Sequence, residues 1–320
     1  MKENEKSIGN IPVEDKKTAR YIIIFMTVAI IIFSTISLLL EKSVNLKESE
    51  VNDIMSNMQK SVSGMIKNED IKKISPGAHE YIKNQMQEID KDEITKKTYN
   101  EIDKYRKKIY WIRSGIKVII FVGAALLILR KEVKIKSEKE VDITKKEVIE
   151  EKANGIKELL KWPKKIPKLV YYILGLGIIL IIIVPQVADK FVNVNQIADT
   201  IHKKGMNKQN IIFVYSYIAI VNSFIEELMF RGIGYIELKK HIPEKYACSI
   251  SAMLFAIYHI AIVNGAVNIW LTILSVIALY IAGVILNKID KKTDTIIPSY
   301  MVHSLSNWIL NIIGYLIVFV

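Results

Sequence analysis

Asn222-Ser223-Phe224-Ile225-Glu226-Glu227-Leu228-Met229-Phe230-Arg231-Gly232 closes an apolar run that begins at Ile211. Two carboxylates and a guanidinium stand here among residues of membrane-span character, where ionisable side chains are costly and mark a functional site by default. On a helix of 3.6 residues per turn, Glu227 and Arg231 are four apart on one face, so their charges neutralise each other. Glu226 lies about 100° around the same helix and has no cation near it in sequence. One acid anchors, and the other is available.

Outward from this segment the chain is a succession of apolar blocks. Its 320 residues are 51% hydrophobic, with positive mean hydropathy, which places it among all-α, polytopic helical membrane proteins. The net charge of +12 comes from lysines set beside the apolar blocks, without interleaved aromatics. These lysines read as topology and headgroup signals, so the lipid bilayer is an expected partner and nucleic acid is not. Cys248 is the only cysteine, which excludes an intrachain disulfide.

Seven transmembrane helices are expected, over residues 21–40, 109–129, 169–187, 211–230, 246–263, 267–286 and 297–320. The first reads as a retained span, because it ends in Leu-Leu-Leu-Glu-Lys without a small-x-small cleavage site. Residues 130–168 carry 13 Lys and Arg. By the positive-inside rule this segment is cytoplasmic, and the N-terminus with it. Residues 41–108 are then extracytoplasmic, and their polar sequence, broken at Ser75-Pro76-Gly77, predicts two or three amphipathic helices. Arg113 and Lys117 fall near the start of the second span, where long stems snorkel to the interface. A short basic amphipathic loop is expected over residues 233–245. The chain thus divides into a two-span region with its outer helical segment and basic linker, residues 1–168, and a core, residues 169–320. No internal repeat is evident, which disfavours a transporter built from inverted halves.

Of five histidines, those at 79, 202 and 241 fall in expected loops, whereas His259 and His303 fall within spans. The last span carries a polar stripe, Ser299, His303, Asn307 and Asn311, at fourfold spacing. Such a stripe also serves as glue between helices in lipid. Phe255 precedes His259 by four and shares its face.

These groups suit peptide-bond hydrolysis inside a bilayer. That reaction needs a base for a water that lipid would exclude, and donors for the charge that develops on the carbonyl oxygen. Glu226 and His259 are the candidates for water activation, and His303 and Asn307, one turn apart, for the oxyanion. Glu227 with Arg231 forms a supporting ion pair. Glu226, His259 and His303 also match a Zn2+ site with one open position. The His-Glu-x-x-His helix of soluble metalloproteases is absent, and metal-free activation, with no cofactor required, is the reading favoured here.

The motif residues resemble those of a known family. Glu226-Glu227-Leu228-Met229-Phe230-Arg231 is similar to Glu-Glu-x-x-x-Arg, Phe255-Ala256-Ile257-Tyr258-His259 to Phe-x-x-x-His, and His303-Ser304-Leu305-Ser306-Asn307 to His-x-x-x-Asn/Asp. Together and in this order they resemble the CPBP family of type II CAAX prenyl proteases and bacteriocin-processing, Abi-like intramembrane proteases. The resemblance covers residues 169–320. It implies an intramembrane endopeptidase in which Glu226 and His259 activate water and His303 and Asn307 stabilise the oxyanion, although a metallopeptidase label is also in use for the family.

Eukaryotic members cut after prenylated cysteine. The Ile-, Lys- and Asn-rich composition here points to an AT-rich bacterial genome and a bacterial cell membrane, so the expected substrate is a membrane-proximal peptide or small membrane protein, such as a pheromone or bacteriocin precursor. The rival readings are a non-enzymatic regulator or bacteriocin immunity protein on the same scaffold, and a proton-coupled transporter.

One expectation concerns depth. At 1.5 Å per residue, Glu226 and His303 lie roughly 8 and 10 Å from the cytoplasmic boundary, and His259 roughly 20 Å. For the three to converge, either the fifth helix starts about two turns outside the hydrocarbon, near Pro243, or the span boundaries are displaced by that much.

Overall fold

The computed structural model describes residues 11–67, 91–139, 156–190, 194–263 and 269–320. Among them the secondary structure is helical, in the order α1 (Val13–Lys67), α2 (Lys91–Lys139), α3 (Lys168–Val187), α4 (Val194–Lys203), α5 (Ile211–Lys240), α6 (Glu244–Val263), α7 (Ile269–Asp290) and α8 (Ile297–Phe319). Six of these helices, all but α4 and α6, contain stretches long and apolar enough to cross a membrane. The chain is an integral membrane protein. The fifth expected span is a helix too: α6 packs along α7 and carries His259.

At 55 residues, α1 is about 80 Å long at 1.5 Å per residue, far more than the ~30 Å of hydrocarbon it crosses. Residues 41–67 and 91–108 therefore do not form separate amphipathic helices. They continue the first two spans as helices. Arg106 pairs with Glu48 at 2.8 Å, and Tyr105 donates to Ser43 Oγ at 3.3 Å, tying the two extensions together. The expected break at Ser75-Pro76-Gly77 lies outside the described residues, as do His79 and residues 140–155 of the basic linker.

The apolar faces of α1 and α2 enter the same core as α5 and α6. Phe33, Phe121, Phe230 and Tyr258 meet ring against ring, with centroids 5.4–6.1 Å apart. Aromatic pairs of this geometry add attraction beyond their buried area. The N-terminal pair of spans is thus built into the core that holds the conspicuous motifs.

The largest departure from expectation is α5. The sequence places its end at Phe230 and a loop over 233–245, yet the helix runs on to Lys240, and residues 229–237 are buried. Arg231 is the first cation after a long apolar run and reads as a boundary. Glu227 neutralises it inside the helix, so it is no boundary. Gly232 lies against Leu159 and Ile296, and Gly234 against Met26, which lets this extra length sit within the protein. The longer helix also brings Glu226 and His259 to one depth. Glu226 is fourteen residues from Lys240, and His259 is fifteen from Glu244, so both stand about 20 Å in from the same end.

A close approach of backbones locks α6 to α7. A Cβ on Gly283 would stand 2.9 Å from Ala252 Cα, a distance only glycine tolerates. Beside it, Ser251 Oγ donates to Phe230 O at 2.8 Å, and Asn287 Nδ2 to Cys248 O at 3.0 Å. These buried polar groups find partners, as groups cut off from water must. At the start of α8, Ile296 N and Thr295 Oγ1 both donate to Leu159 O at 2.9 Å, fixing where that helix begins.

Candidate active site

Within α5, Tyr217–Asn222 and Leu228–Glu237 are π-helical, and between them Ser223–Glu227 is α-helical. Such wide turns are uncommon and recur at functional sites. Here they bracket the two acids. Ser223 Oγ donates to Ile218 O, five residues back, at 3.1 Å.

Glu226 is buried, and its two oxygens have different surroundings. Oε1 accepts from Asn222 Nδ2 at 2.9 Å and from the Lys117 ammonium. Lys117 also donates to Asn222 Oδ1, and its Nζ stands 4.9 Å from the Tyr258 ring centroid and 5.6 Å from that of Phe121. The ammonium is thus held by two oxygen acceptors and two aromatic rings, a desolvated setting in which cation–π attraction counts most. By contrast, Oε2 has no hydrogen-bond partner among the described residues. It faces His259 Nε2 at 3.6 Å and His303 Nε2 at 3.7 Å.

The remaining ring nitrogens fix both imidazoles. His259 Nδ1 is 2.8 Å from Phe255 O, and a carbonyl only accepts, so Nδ1 carries the proton and the neutral ring turns a bare Nε2 to Glu226. His303 Nδ1 is 2.7 Å from Glu227 Oε1, and donating there leaves Nε2 toward Glu226 as well. Phe255 packs on both rings, 4.4 Å from His259 and 5.8 Å from His303 between centroids.

Glu227 therefore does two things. Its Oε1 orients His303, and its Oε2 lies 3.2 Å from Arg231 Nε, with both side chains fully buried. The Arg231 guanidinium stacks on Phe255 at 4.1 Å. Asn307, one turn beyond His303, donates to Ser223 Oγ at 2.8 Å, and Asn311 to Tyr215 O at 3.4 Å. The polar stripe of α8 lies against α5 along its length, so its outer members also join the two helices.

The structure brings Glu226, His259 and His303 together, with Glu227, Arg231 and Asn307 around them. Glu226 is 1% exposed, whereas the side chains of His259 and His303 are 16% and 11% exposed, so the centre opens on the imidazole side. The expectation that Lys117 snorkels to the interface is overturned: it is 4% exposed and turned inward. Lys117, Asn222 and Tyr258 are the neighbours of Glu226 that motif reading missed. For Asn222 the signal was its place four residues before Glu226. For Lys117 it was a charge bookkeeping: one span holds an acid without a cation, another a cation without an acid.

Residues 208–309 match the family model described as type II CAAX prenyl endopeptidase, Rce1-like. The match contains all seven motif residues, Glu226, Glu227, Arg231, Phe255, His259, His303 and Asn307, and bears out the resemblance to CPBP proteases over that segment. Lys117 lies outside it. No curated protein and no solved structure matches the chain.

Proposed function

We propose that this chain, with a segment of the prenyl endopeptidase pattern around a buried acid and two imidazoles, is an intramembrane endopeptidase. The observation that carries the reading is the unbonded Glu226 Oε2, facing two imidazole nitrogens at 3.6 and 3.7 Å. Those separations are too long for direct hydrogen bonds and suit one bridging water.

In the mechanism, the water oxygen attacks the peptide carbonyl carbon while its proton passes to Glu226 Oε2, with His259 Nε2 aligning the water. Negative charge then moves from the carboxylate to the carbonyl oxygen. The His303 ring and the Asn307 amide, one turn apart on α8, are the donors to that oxygen. The C–N bond breaks as the nitrogen takes the proton held by Glu226. Glu227 keeps the His303 ring in place, the role of an orienting carboxylate in other hydrolytic centres.

A second reading draws on the same side chains, although no group of three or more His, Cys, Asp or Glu among the described residues is arranged to hold a metal ion. Two imidazole nitrogens and a carboxylate oxygen are the donor types of a catalytic zinc site. Glu226, His259 and His303 would hold the ion, which would polarise the carbonyl and supply a nucleophilic hydroxide. The Lys117 ammonium on the same carboxylate opposes a dication there, which puts the metal-free reading first.

The substrate class is a membrane-proximal peptide or small membrane protein, in a bacterial cell membrane with the N-terminus of this chain cytoplasmic. Comparison of membrane peptides from cells carrying the wild type and Glu226→Gln tests the function. An uncut precursor accumulates with Glu226→Gln if the reading holds, and identical peptide profiles would defeat it.

A further inference from the structure

Lys117 comes from α2, outside the residues that match the endopeptidase family, and 109 positions from its partner Glu226. A buried ammonium is costly, and this one is placed with care: two acceptors on α5, Asn222 Oδ1 and Glu226 Oε1, and two rings, Tyr258 from α6 and Phe121 from its own helix. Asn222 binds both members of the pair, donating to Glu226 and accepting from Lys117. The bonds to Oε1 leave the other oxygen, Oε2, as the one that meets the imidazoles.

We propose that Lys117 is a positioning residue of this centre, supplying the counter-charge of Glu226 and turning Oε2 toward His259 and His303, so that the N-terminal pair of spans is a working part of the site. The inference rests on the endopeptidase reading only for its catalytic consequence. In that reaction the negative charge moves from Glu226 to the substrate oxygen, and the fixed ammonium remains its counter-charge throughout. Lys117 touches Glu226 and not the reacting atoms.

The test uses the full chain in proteoliposomes as wild type, Lys117→Met, Lys117→Arg and Lys117→Met/Glu226→Gln. Infrared difference spectra report the charge on the carboxyl. Lys117→Met gains the carbonyl band of a protonated acid, Lys117→Arg does not, and the double variant loses the band, assigning it to Glu226. Because Lys117→Met leaves a lone buried acid, the double variant melts at a higher temperature than Lys117→Met. Absence of the new band, or a double variant no more stable than Lys117→Met, overturns the pairing.

For the catalytic arm the probe is membrane vesicles from Glu226→Gln cells. Lys117→Met cuts the accumulated peptide about 100-fold more slowly than wild type, the order expected for a misplaced catalytic group, and Lys117→Arg recovers part of the loss. Cleavage by Lys117→Met at the wild-type rate overturns the positioning role. If the wild type itself cuts nothing, the endopeptidase reading fails, and the infrared and melting results still decide the pair.

Discussion

Lys117 Nζ and Glu226 Oε1 form an ion pair across the interior of a membrane protein, with side chains 5% and 1% exposed. This pair changes what removal of the acid does. From sequence, Glu226→Gln deletes a base and keeps the shape, so abundance stays near normal. In the structure it also strands an ammonium.

Glu226→Gln is accordingly expected to abolish cleavage and to lower stability as well, by up to about 3–5 kcal/mol, the range for removing one partner of a buried pair. Melting of the purified protein in detergent checks this. A variant as stable as the wild type would show that Lys117 finds other partners.

Glu227→Gln loosens two contacts at once, the ion pair to Arg231 and the bond that orients His303. Both stability and cleavage rate fall. The paired readout is a melting curve beside a cleavage time course, and a Glu227→Gln protein that is stable and fully active contradicts the assignment.

Gly283→Leu forces apart the helices that carry His259 and its support, since even its Cβ would meet Ala252 Cα at 2.9 Å. Overpacking of this kind costs about 1–3 kcal/mol, read as a lower melting temperature with weaker cleavage. Gly175→Ala is the control: nothing lies within 4 Å of the added carbon, and its melting temperature does not fall.

Exhaustive chelation of the purified protein leaves cleavage intact in the metal-free mechanism. Loss of activity with recovery on adding zinc would transfer Glu226, His259 and His303 to the role of ligands.

How much of this was legible in the sequence follows from the range of each signal. Residues in one helix declare their neighbours by spacing, so the Glu227–Arg231 pair, the adjacency of Phe255 and His259 and the stripe from Ser299 to Asn311 were all readable. Span positions followed from apolar length. The end of α5 did not, because Arg231 looks like an interface residue until its neutralisation by Glu227 is weighed, and its burial depends on Leu159, Met26 and Ile296 from other helices. Lys117 was the hardest. Its position near a span end satisfied the snorkelling rule, and only the packing of α2 against α5 turns the side chain inward. The second role of Glu227 was hidden similarly, since its contact to His303 spans 76 positions.

The central claim is that Glu226 activates the water that cuts a peptide in the membrane. The direct measurement incubates purified protein in liposomes with the precursor that accumulates in Glu226→Gln cells and follows its mass. Wild-type protein is expected to convert it to two fragments, their masses summing to precursor plus one water, while Glu226→Gln leaves it whole; cleavage by Glu226→Gln at the wild-type rate would contradict the account.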